Sequence, residues 1–202
     1  MSKIYESNLS IPQLVLASTS TYRRELLERL HIPFSVVAPN VDESPLQGEL
    51  PEQTAVRLAQ AKAAKAAGQW ADALVIGCDQ VAALDGAQLG KPRTHENAFR
   101  QLKLMRGKTA EFYTAVCLLN TGTGHAQIKV IPYQVRFRNF SDEQIANYLR
   151  KEAPYDCAGG AKIEGLGVAL IEAMYGEDPW ALIGLPLIAL VEMLKNEGVE
   201  VV

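Results

Sequence analysis

A cluster of hydroxyl-bearing residues and two adjacent arginines follow the first short apolar run of the chain. They occupy residues 18–24, STSTYRR, directly after the apolar residues 14–17. The apolar run has the length of a buried strand, and residues 25–30 have the pattern of an amphipathic helix. A helix N-terminus binds anions through its free N–H groups and its dipole. Hydroxyl and guanidinium groups add further hydrogen-bond donors for a phosphate. The alternative is a Ser or Thr cap followed by solvated arginines, but cations there oppose the dipole. We therefore predict a polyphosphate-binding turn.

Two carboxylates are candidates for acid–base chemistry. Asp79 follows the apolar run 74–77, and open α/β sheets bind ligands at the carboxyl ends of their strands. An isolated Asp at such a place can equally cap the next turn. Glu43 lies in the acidic loop 39–45, and loops around a rigid sheet often carry function. Taken alone, Glu43 is more typical of a solvated surface acid.

Lys62 and Lys91 are the candidate cations beyond the first turn. Lys91 lies between a glycine and a proline, and Lys62 lies on an Ala-rich predicted helix, where a solvated position is the simpler interpretation. The three histidines are isolated, so the zinc-site patterns are absent from the sequence. The nucleophile-elbow, P-loop and dinucleotide-binding motifs are absent as well. Carboxylates, cations and hydroxyls remain, and this set suits a divalent metal and a phosphate chain.

The elements that position these residues alternate between strand and helix early, with antiparallel hairpins later. The predicted strands are 14–17, 34–38, 74–77, 81–84, 87–89, about 109–120, about 126–138, and a short one after the Gly-rich segment 157–167. The predicted helices are about 22–31, 51–67, 94–107, 141–151 and 187–196. The pattern predicts an α/β fold with a mixed, elongated, twisted β-sheet flanked by helices. We expect a flexible leader over residues 1–12 and a single domain over 13–202.

Bulk composition restricts the class of protein. A chain of 202 residues, 48% of them hydrophobic, can bury one sizeable core. The net charge of −3 argues against nucleic-acid binding. There is no apolar stretch long enough to span a membrane and no signal peptide. Three dispersed cysteines, at positions 78, 117 and 157, favour free thiols. We therefore expect a cytoplasmic protein with no membrane partner.

Several segments carry a resemblance to a known family. In order they are LASTSTYRRELLERL, VDES, RLAQAKA, IGCDQV with LGKP, the strand pair after RGKT, CAGGAKIEGLG and IGLPL, spanning residues 14–198. Together they resemble the Maf family, the septum-formation-inhibitor-like nucleoside triphosphate pyrophosphatases. The resemblance implies a Maf-like fold and hydrolysis of a nucleoside triphosphate between its α and β phosphates. The products are a monophosphate and pyrophosphate, and the cofactor is a divalent cation, Mg²⁺ or Mn²⁺.

The resemblance also implies roles for individual residues. The phosphate-binding residues are Ser18, Arg23, Arg24, Lys62 and Lys91. Glu43 and Asp79 match the acids that associate with the metal, and Asp79 matches the general base.

Three further positions resemble the 7-methyl-GTP-specific branch: Tyr22, Gln80 and Glu164. In the dTTP- and UTP-cleaving branch, the first loop instead resembles the sequence SPRR. The general base of that branch resembles a D-T pair, where this chain has Gln80 after Asp79. Thr21 departs from the proline usual in that loop, and Tyr22 stands where Trp is common. A methylated guanine is cationic, so its attraction to the Tyr22 ring contributes about 0.5–2 kcal/mol. Glu164 could accept hydrogen bonds from the ring N–H and the exocyclic amine of guanine.

Other functions stay open at this point. One is a pyrimidine nucleotide pyrophosphatase acting on dTTP or UTP. Another is a nucleotide-sensing binding protein linked to cell-division control, in which hydrolysis is incidental. A homodimer also stays open as the oligomeric state.

Overall fold

The computed structural model describes residues 12–202 and contains a seven-stranded sheet flanked by helices. The strands are β1 (Gln13–Ala17), β2 (Phe34–Val37), β3 (Ala73–Leu84), β4 (Ala87–Leu89), β5 (Thr109–Asn120), β6 (Ala126–Phe137) and β7 (Ile171–Tyr175). The helices are α1 (Thr21–Glu28), α2 (Pro51–Ala67), α3 (His95–Met105), α4 (Asp142–Glu152), α5 (Pro179–Ile183) and α6 (Leu187–Asn196). Two 3₁₀ turns, Ala158–Gly160 and Leu166–Leu170, lie between α4 and β7. Most of the leader predicted for residues 1–12 lies outside the described residues.

The sheet is mixed, as predicted. Its order is β2-β1-β3-β5-β6-β7, and β4 pairs with β3 off that path. β1 pairs in parallel with β2 and β3, whereas the remaining pairs are antiparallel. The hairpin predicted around residues 85 and 86 joins β3 to β4. At the start of the helix predicted for residues 141–151, Ser141 and Gln144 form a capping box.

Two predictions of element bounds were wrong, and one helix was not predicted. The runs predicted as separate strands, 74–77 and 81–84, form one continuous strand, β3, because pairing with β5 continues through the polar residues between them. Asp79 therefore lies inside a strand and not after one. α1 ends at Glu28, three residues before the prediction, and the short helix α5 was not predicted at all.

A gap interrupts one side of β3. β1 pairs with Ala73–Gly77, and β4 pairs with Ala82–Leu84 on the same side, opposite β5. Among the described residues, no strand pairs with residues 78–81 on that side. Because no described strand fills the space beside residues 78–81, side chains from both faces of the sheet can reach one cavity there.

The two faces of the sheet near the gap carry different helices. On one face, small residues of α2 (Ala55, Ala59, Ala63 and Ala66) pack against Val75 and its neighbours. On the other face, β1 and β3 pack against α1, α5 and α6. A third cluster lies where α3 and α4 cover β5 and β6. None of the helices within residues 12–202 is long and apolar enough to cross a membrane.

Gly77 sets the distance between α2 and β3. A Cβ at this position would lie 2.1 Å from the Ala59 carbonyl oxygen and 2.6 Å from the Ala63 nitrogen. These are backbone atoms, so a side chain at position 77 would push the helix away from the strand. The glycine and the Ala-rich helix face together permit the close approach.

Candidate active site

A cavity of about 760 Å³ opens at the gap in β3. Its walls come from the β1–α1 turn, the acidic loop, α2, β3, β4 with the loop after it, the segment 156–164, and the end of α5. The basic residues that line it are Arg23, Lys62, Lys91 and Arg93. The acidic residues that line it are Asp42, Glu43, Asp79, Asp156 and Glu164. A cavity with this lining can hold an anionic chain and a cationic group at once.

Lys62 joins the two predicted carboxylates. Its Nζ lies 2.5 Å from Glu43 Oε1 and 2.6 Å from Asp79 Oδ1. The Lys62 and Asp79 side chains are 5% and 10% exposed, whereas that of Glu43 is 46% exposed. Burial raises the pKa of Glu43, but the hydrogen bond and charge of Lys62 outweigh this and leave the pKa below its usual value. The prediction that Lys62 is a solvated lysine, when taken alone, is wrong.

Ser18 and Arg23 form the wall at the first turn. Ser18 is buried, and its Oγ accepts hydrogen bonds from the Ser20 nitrogen at 3.2 Å and from Arg23 Nη1 at 3.5 Å. Arg23 Nε donates to the Gly184 carbonyl oxygen at 2.9 Å, which fixes the guanidinium against the end of α5. Ser20 caps α1 by accepting from the Arg23 nitrogen. The turn therefore presents a helix N-terminus and an anchored guanidinium to the cavity.

Arg24 is not part of this wall. Its side chain is 58% exposed and pairs with Glu28 on the same helix at 3.2 Å. It lies beside a shallow surface hollow near Phe34 and not in the cavity of the other predicted residues. Lys91 does line the cavity, and its side chain is exposed.

Tyr22 and Glu164 both line the cavity, and the charge of Glu164 acts on Tyr22. Burial and the neighbouring Cys157, Asp156 and Glu164 raise the pKa of Tyr22 to about 12, since the charge of Lys162 opposes them only partly. Lys162 Nζ lies 5.5 Å from the centre of the Tyr22 ring, within the range of a cation–π interaction. Desolvation raises the pKa of Glu164 above its usual value.

Gln80 lines the cavity from the other face of the sheet. Successive residues of a strand point to opposite faces, so Asp79 points to α2 and Gln80 to α5. Gln80 Nε2 lies 2.9 Å from the Ala181 oxygen and 3.0 Å from the Leu182 oxygen. The amide nitrogen therefore holds α5 in place, and the amide oxygen is the group that this network leaves for a ligand.

An ion pair holds the acidic loop that carries Glu43. Arg57 of α2 donates to both carboxylate oxygens of Glu49, at 2.6 and 2.8 Å. Its Nη2 also donates to the Ser44 carbonyl oxygen at 3.1 Å. Glu49 accepts further hydrogen bonds from Thr54 and the Leu46 nitrogen. The hydrogen bond from Arg57 lowers the pKa of Glu49 to about 2.

Comparison with known proteins decides the family. A family profile described as Maf-like protein matches residues 13–197. The chain belongs to the Maf family. Among its relatives, the 7-methyl-GTP pyrophosphatase of Methylobacillus flagellatus is 62% identical over 95% of this chain and 100% of that relative. Relatives with the same name from Nitrosospira multiformis and Thiobacillus denitrificans are each 60% identical, over 94% of this chain and 96% and 94% of their own lengths. The structure of the Staphylococcus aureus Ham1 protein aligns at 16% identity and a TM-score of 0.45, over 63% of this chain and 72% of that chain, a likeness too remote to assign the fold.

Two acids of the cavity, Glu43 and Asp79, carry the oxygen donors that a divalent metal takes. Within residues 12–202, no group of three or more His, Cys, Asp and Glu side chains is arranged to hold a metal ion. Mg²⁺ is commonly held by one or two carboxylates, with its other ligands supplied by substrate phosphates and water. Glu43 and Asp79 contact one ammonium from two sides and thus fit such a shared site.

Sequence reasoning missed several residues around the Maf cavity. Arg93 lines it beside Lys91, with a left-handed backbone (φ 64°) held by a hydrogen bond from its nitrogen to Tyr155. Arg93 could have been recognised from the sequence, because it follows Lys91 by two residues and comes directly after a proline. The Arg57–Glu49 pair had no such signal in the sequence, because Glu49 lies before α2 and Arg57 lies within it, eight positions further on. Gly77 carries no functional group and can be recognised only from the packing.

Proposed function

We propose that this protein is a nucleoside triphosphate pyrophosphatase that hydrolyses 7-methyl-GTP to 7-methyl-GMP and pyrophosphate. The strongest support is the convergence in one cavity of a carboxylate, several cations and an aromatic–acidic end. Relatives that are 60–62% identical over almost the whole chain carry the name 7-methyl-GTP pyrophosphatase. This activity removes a modified nucleotide from the pool of triphosphates.

Asp79 is the general base in this proposal. Its carboxylate accepts a proton from a water molecule while the oxygen of that water forms a bond to the α-phosphorus. The bond between the α-phosphorus and the oxygen that bridges to the β-phosphorus breaks, and its electron pair leaves with pyrophosphate. General-base catalysis of this kind contributes about 10²–10⁴-fold in rate.

The cations of the cavity bind the triphosphate. Arg23 and Ser18 offer donors at the first turn, and Lys62 and Lys91 supply positive charge near the acids. Fixed donors stabilise the charge that develops on the pyrophosphate without having to reorganise. Arg93 belongs to this group by its position, whereas Arg24 is left out of it because it pairs with Glu28 outside the cavity.

A divalent metal, Mg²⁺ or Mn²⁺, would be held by Glu43 and Asp79 together with phosphate oxygens, and when bound it neutralises negative charge on the phosphate chain. The protein residues around it keep the roles given above.

The base is recognised at the end of the cavity that contains Tyr22 and Glu164. The aromatic face of Tyr22 can stack on a cationic base. The carboxylate of Glu164 accepts from the two N–H groups of guanine, and its charge favours the methylated, cationic form. Gln80 contributes its amide oxygen.

Pyrophosphate release from a panel of nucleotides tests the proposal. The panel contains 7-methyl-GTP, GTP, UTP and dTTP, each with Mg²⁺ and with Mn²⁺, and both pyrophosphate and orthophosphate are measured. We expect pyrophosphate alone, and the highest kcat/KM for 7-methyl-GTP. Stepwise orthophosphate release would exclude attack at the α-phosphorus. A preference for UTP or dTTP would favour the pyrimidine branch, and tight binding without turnover would favour a nucleotide sensor.

A further inference from the structure

Lys62 occupies an unusual place for a lysine. Its side chain is 5% exposed, and its ammonium lies between two carboxylates from separate elements, the acidic loop and β3. Lysines in most folds extend their ammonium groups into water, so a buried one needs compensating partners. Glu43 and Asp79 supply those partners at 2.5 and 2.6 Å.

The packing of α2 on β3 fixes the backbone that carries this ammonium. Lys62 lies on α2 next to Ala63, whose nitrogen is at the close contact with Gly77. Gly77 is two residues before Asp79 on the same strand and lies on the same face. The helix cannot move away from the strand without opening that contact. The packing of two elements therefore brings Lys62 to the acids, and the rotamer of its side chain places the ammonium between them.

The same position is the one that a divalent cation needs. Two carboxylates that contact one cation from two sides are the protein ligands proposed above for Mg²⁺ or Mn²⁺. With Lys62 in place, the three groups carry a net charge of one negative unit, and an incoming metal ion would meet a like charge at close range. Like charges at such distances oppose each other strongly where water is scarce.

We infer that Lys62 is an internal counter-cation which keeps the carboxylate pair from binding a metal until a phosphate chain arrives. The inference rests on the proposed function, because the phosphate chain is that of the nucleotide. The anionic chain gives the ammonium a new partner, and Glu43 and Asp79 then become available to the metal. Nucleotide and metal therefore bind with positive coupling, each increasing the affinity for the other.

A titration with Mn²⁺ alone tests the inference without any turnover. Free Mn²⁺ is measured by electron paramagnetic resonance in the presence of the wild-type protein, with no nucleotide added. We expect weak binding, with half-saturation at about 1 mM or above. Half-saturation at micromolar Mn²⁺ would overturn the inference whatever the variants do.

The variant Lys62→Met removes the ammonium and keeps much of the apolar stem. Two uncompensated carboxylates then remain, and we expect Mn²⁺ to bind at least about tenfold more tightly than to the wild type. Lys91→Met is the matched control, since it removes the same charge from the same cavity without touching either acid, and we expect a much smaller gain. Equal affinities of wild type and Lys62→Met, or equal gains in both variants, would contradict a specific role for Lys62.

Two measurements keep the result interpretable. Near-ultraviolet circular dichroism establishes that Lys62→Met is folded, and Lys65→Met, on the exposed side of α2, is the control for folding. If Lys62→Met does not fold, the wild-type titration decides alone. A protein that fails to hydrolyse any nucleotide but gives the expected Mn²⁺ results would refute the proposed function and leave the role of Lys62 standing.

Discussion

The charged residues of the cavity differ in how firmly they are held. Lys62 and Asp79 are buried and share a hydrogen bond, whereas Glu43 is half exposed and Lys91 is exposed. Arg23 is anchored to a backbone carbonyl of a distant segment. The proposed general base is thus among the buried groups, whereas Lys91, a cation proposed to bind the phosphate chain, is exposed.

Asp79→Asn is expected to abolish most of the turnover. The amide keeps the shape of the side chain but cannot accept a proton from water, so kcat falls by about 10²–10⁴-fold. Nucleotide affinity should change much less, because Arg23 and Lys91 remain. Single-turnover kinetics with a separate binding measurement checks both quantities. A fully active Asp79→Asn would move the base to Glu43.

Glu164→Ala is expected to lower selectivity more than overall activity. Losing hydrogen bonds from a charged group to the base costs about 1.5–3 kcal/mol, or roughly ten- to a hundredfold in kcat/KM for 7-methyl-GTP. UTP should be affected little, because it offers a different set of donors. Tyr22→Leu should add a smaller loss by removing the aromatic face.

The ratio of kcat/KM values for 7-methyl-GTP and UTP measures this effect, and Glu152→Ala serves as a nearby comparison. Glu152 pairs with Lys162 at 3.0 Å but is not among the residues that line the cavity. Equal losses for both nucleotides in Glu164→Ala would contradict the assignment of Glu164 to the base.

The sequence predicted which residues belong to the site more readily than it predicted the direction in which each side chain points. Ser18, Arg23, Lys62, Lys91 and Asp79 do line one cavity. Adjacent residues of a helix point about 100° apart, so two neighbouring arginines leave the helix towards different surroundings. Only the packing of α1 decides that Arg23 faces inward and Arg24 outward, and that packing depends on distant residues.

At the scale of elements, the approach of α2 to β3 carries the site. Alanines line the helix face, and Gly77 has no side chain to keep the two backbones apart. The distance between Lys62 and Asp79 follows from this contact. Position in the fold and not local sequence thus brings Lys62 to Asp79.

Gly77→Ala is expected to separate α2 from β3. Overpacking of this kind destabilises a protein by about 1–3 kcal/mol, because the new Cβ meets backbone atoms that must move. Activity per folded molecule should fall as well, since the Lys62 ammonium moves away from Asp79. Thermal unfolding and steady-state kinetics check the two effects.

Gly68→Ala provides the matched control for that substitution. Gly68 ends the same helix with φ −60°, and a Cβ there would meet nothing within 4 Å. We expect unchanged activity and unchanged or slightly higher stability. Similar losses in both variants would show that the close contact at position 77 is not the cause.

The ion pair of Glu49 and Arg57 should make the acidic loop sensitive to low pH. The pKa of Glu49 falls from 4.5 to about 2 in the folded protein, so its contribution to stability is complete above pH 4.5 and is lost as the pH falls towards 2. Glu49→Gln lacks this contribution. As the pH falls from 4.5 towards 2, the urea midpoint of unfolding should therefore decrease less in Glu49→Gln than in the wild type.

Glu52→Gln is the control, because Glu52 is an exposed acid on the first turn of α2. We expect it to keep the wild-type slope. An unchanged slope in Glu49→Gln would show that the pair does not titrate as described.

Element types were predictable where a local pattern determines them. Capping residues marked the starts of α3 and α4, and the residues between β3 and β4 marked their turn. The middle of β3 was not predictable, because Asp79 and Gln80 interrupt its apolar run. Only pairing with β5, more than thirty residues later, keeps these residues in the strand.

At the scale of the whole molecule, the cavity draws on elements from both ends of the chain. The first turn and the end of α5 are joined by the hydrogen bond from Arg23 to Gly184, across 161 residues. Residues of α2 and of the segment 156–164 line the same cavity. A ligand bound there would contact parts of the chain that are distant in sequence.

We therefore expect residues 13–202 to unfold as one domain and to respond to ligand as a whole. A non-hydrolysable analogue of 7-methyl-GTP with Mn²⁺, at about 100 times its dissociation constant, should stabilise the protein by about 2.7 kcal/mol. For a chain of this size, that corresponds to a rise in Tm of about 5–10 °C. Calorimetry should show one transition that moves as a unit. Two transitions, of which only one moves, would contradict a single domain.

The missing side chain at Gly77 also limits how the chain can vary. In a library of random variants selected for turnover, we expect Asp79 to be replaceable by nothing that lacks a carboxylate. Positions 59, 63 and 77 offer no chemistry at all, yet larger side chains there would be rejected as firmly, since each would displace the lysine from the acid. Position 68, at the end of the same helix, would accept many residues. Intolerance to substitution in this protein therefore marks the spacing of two backbones as well as the reacting groups themselves.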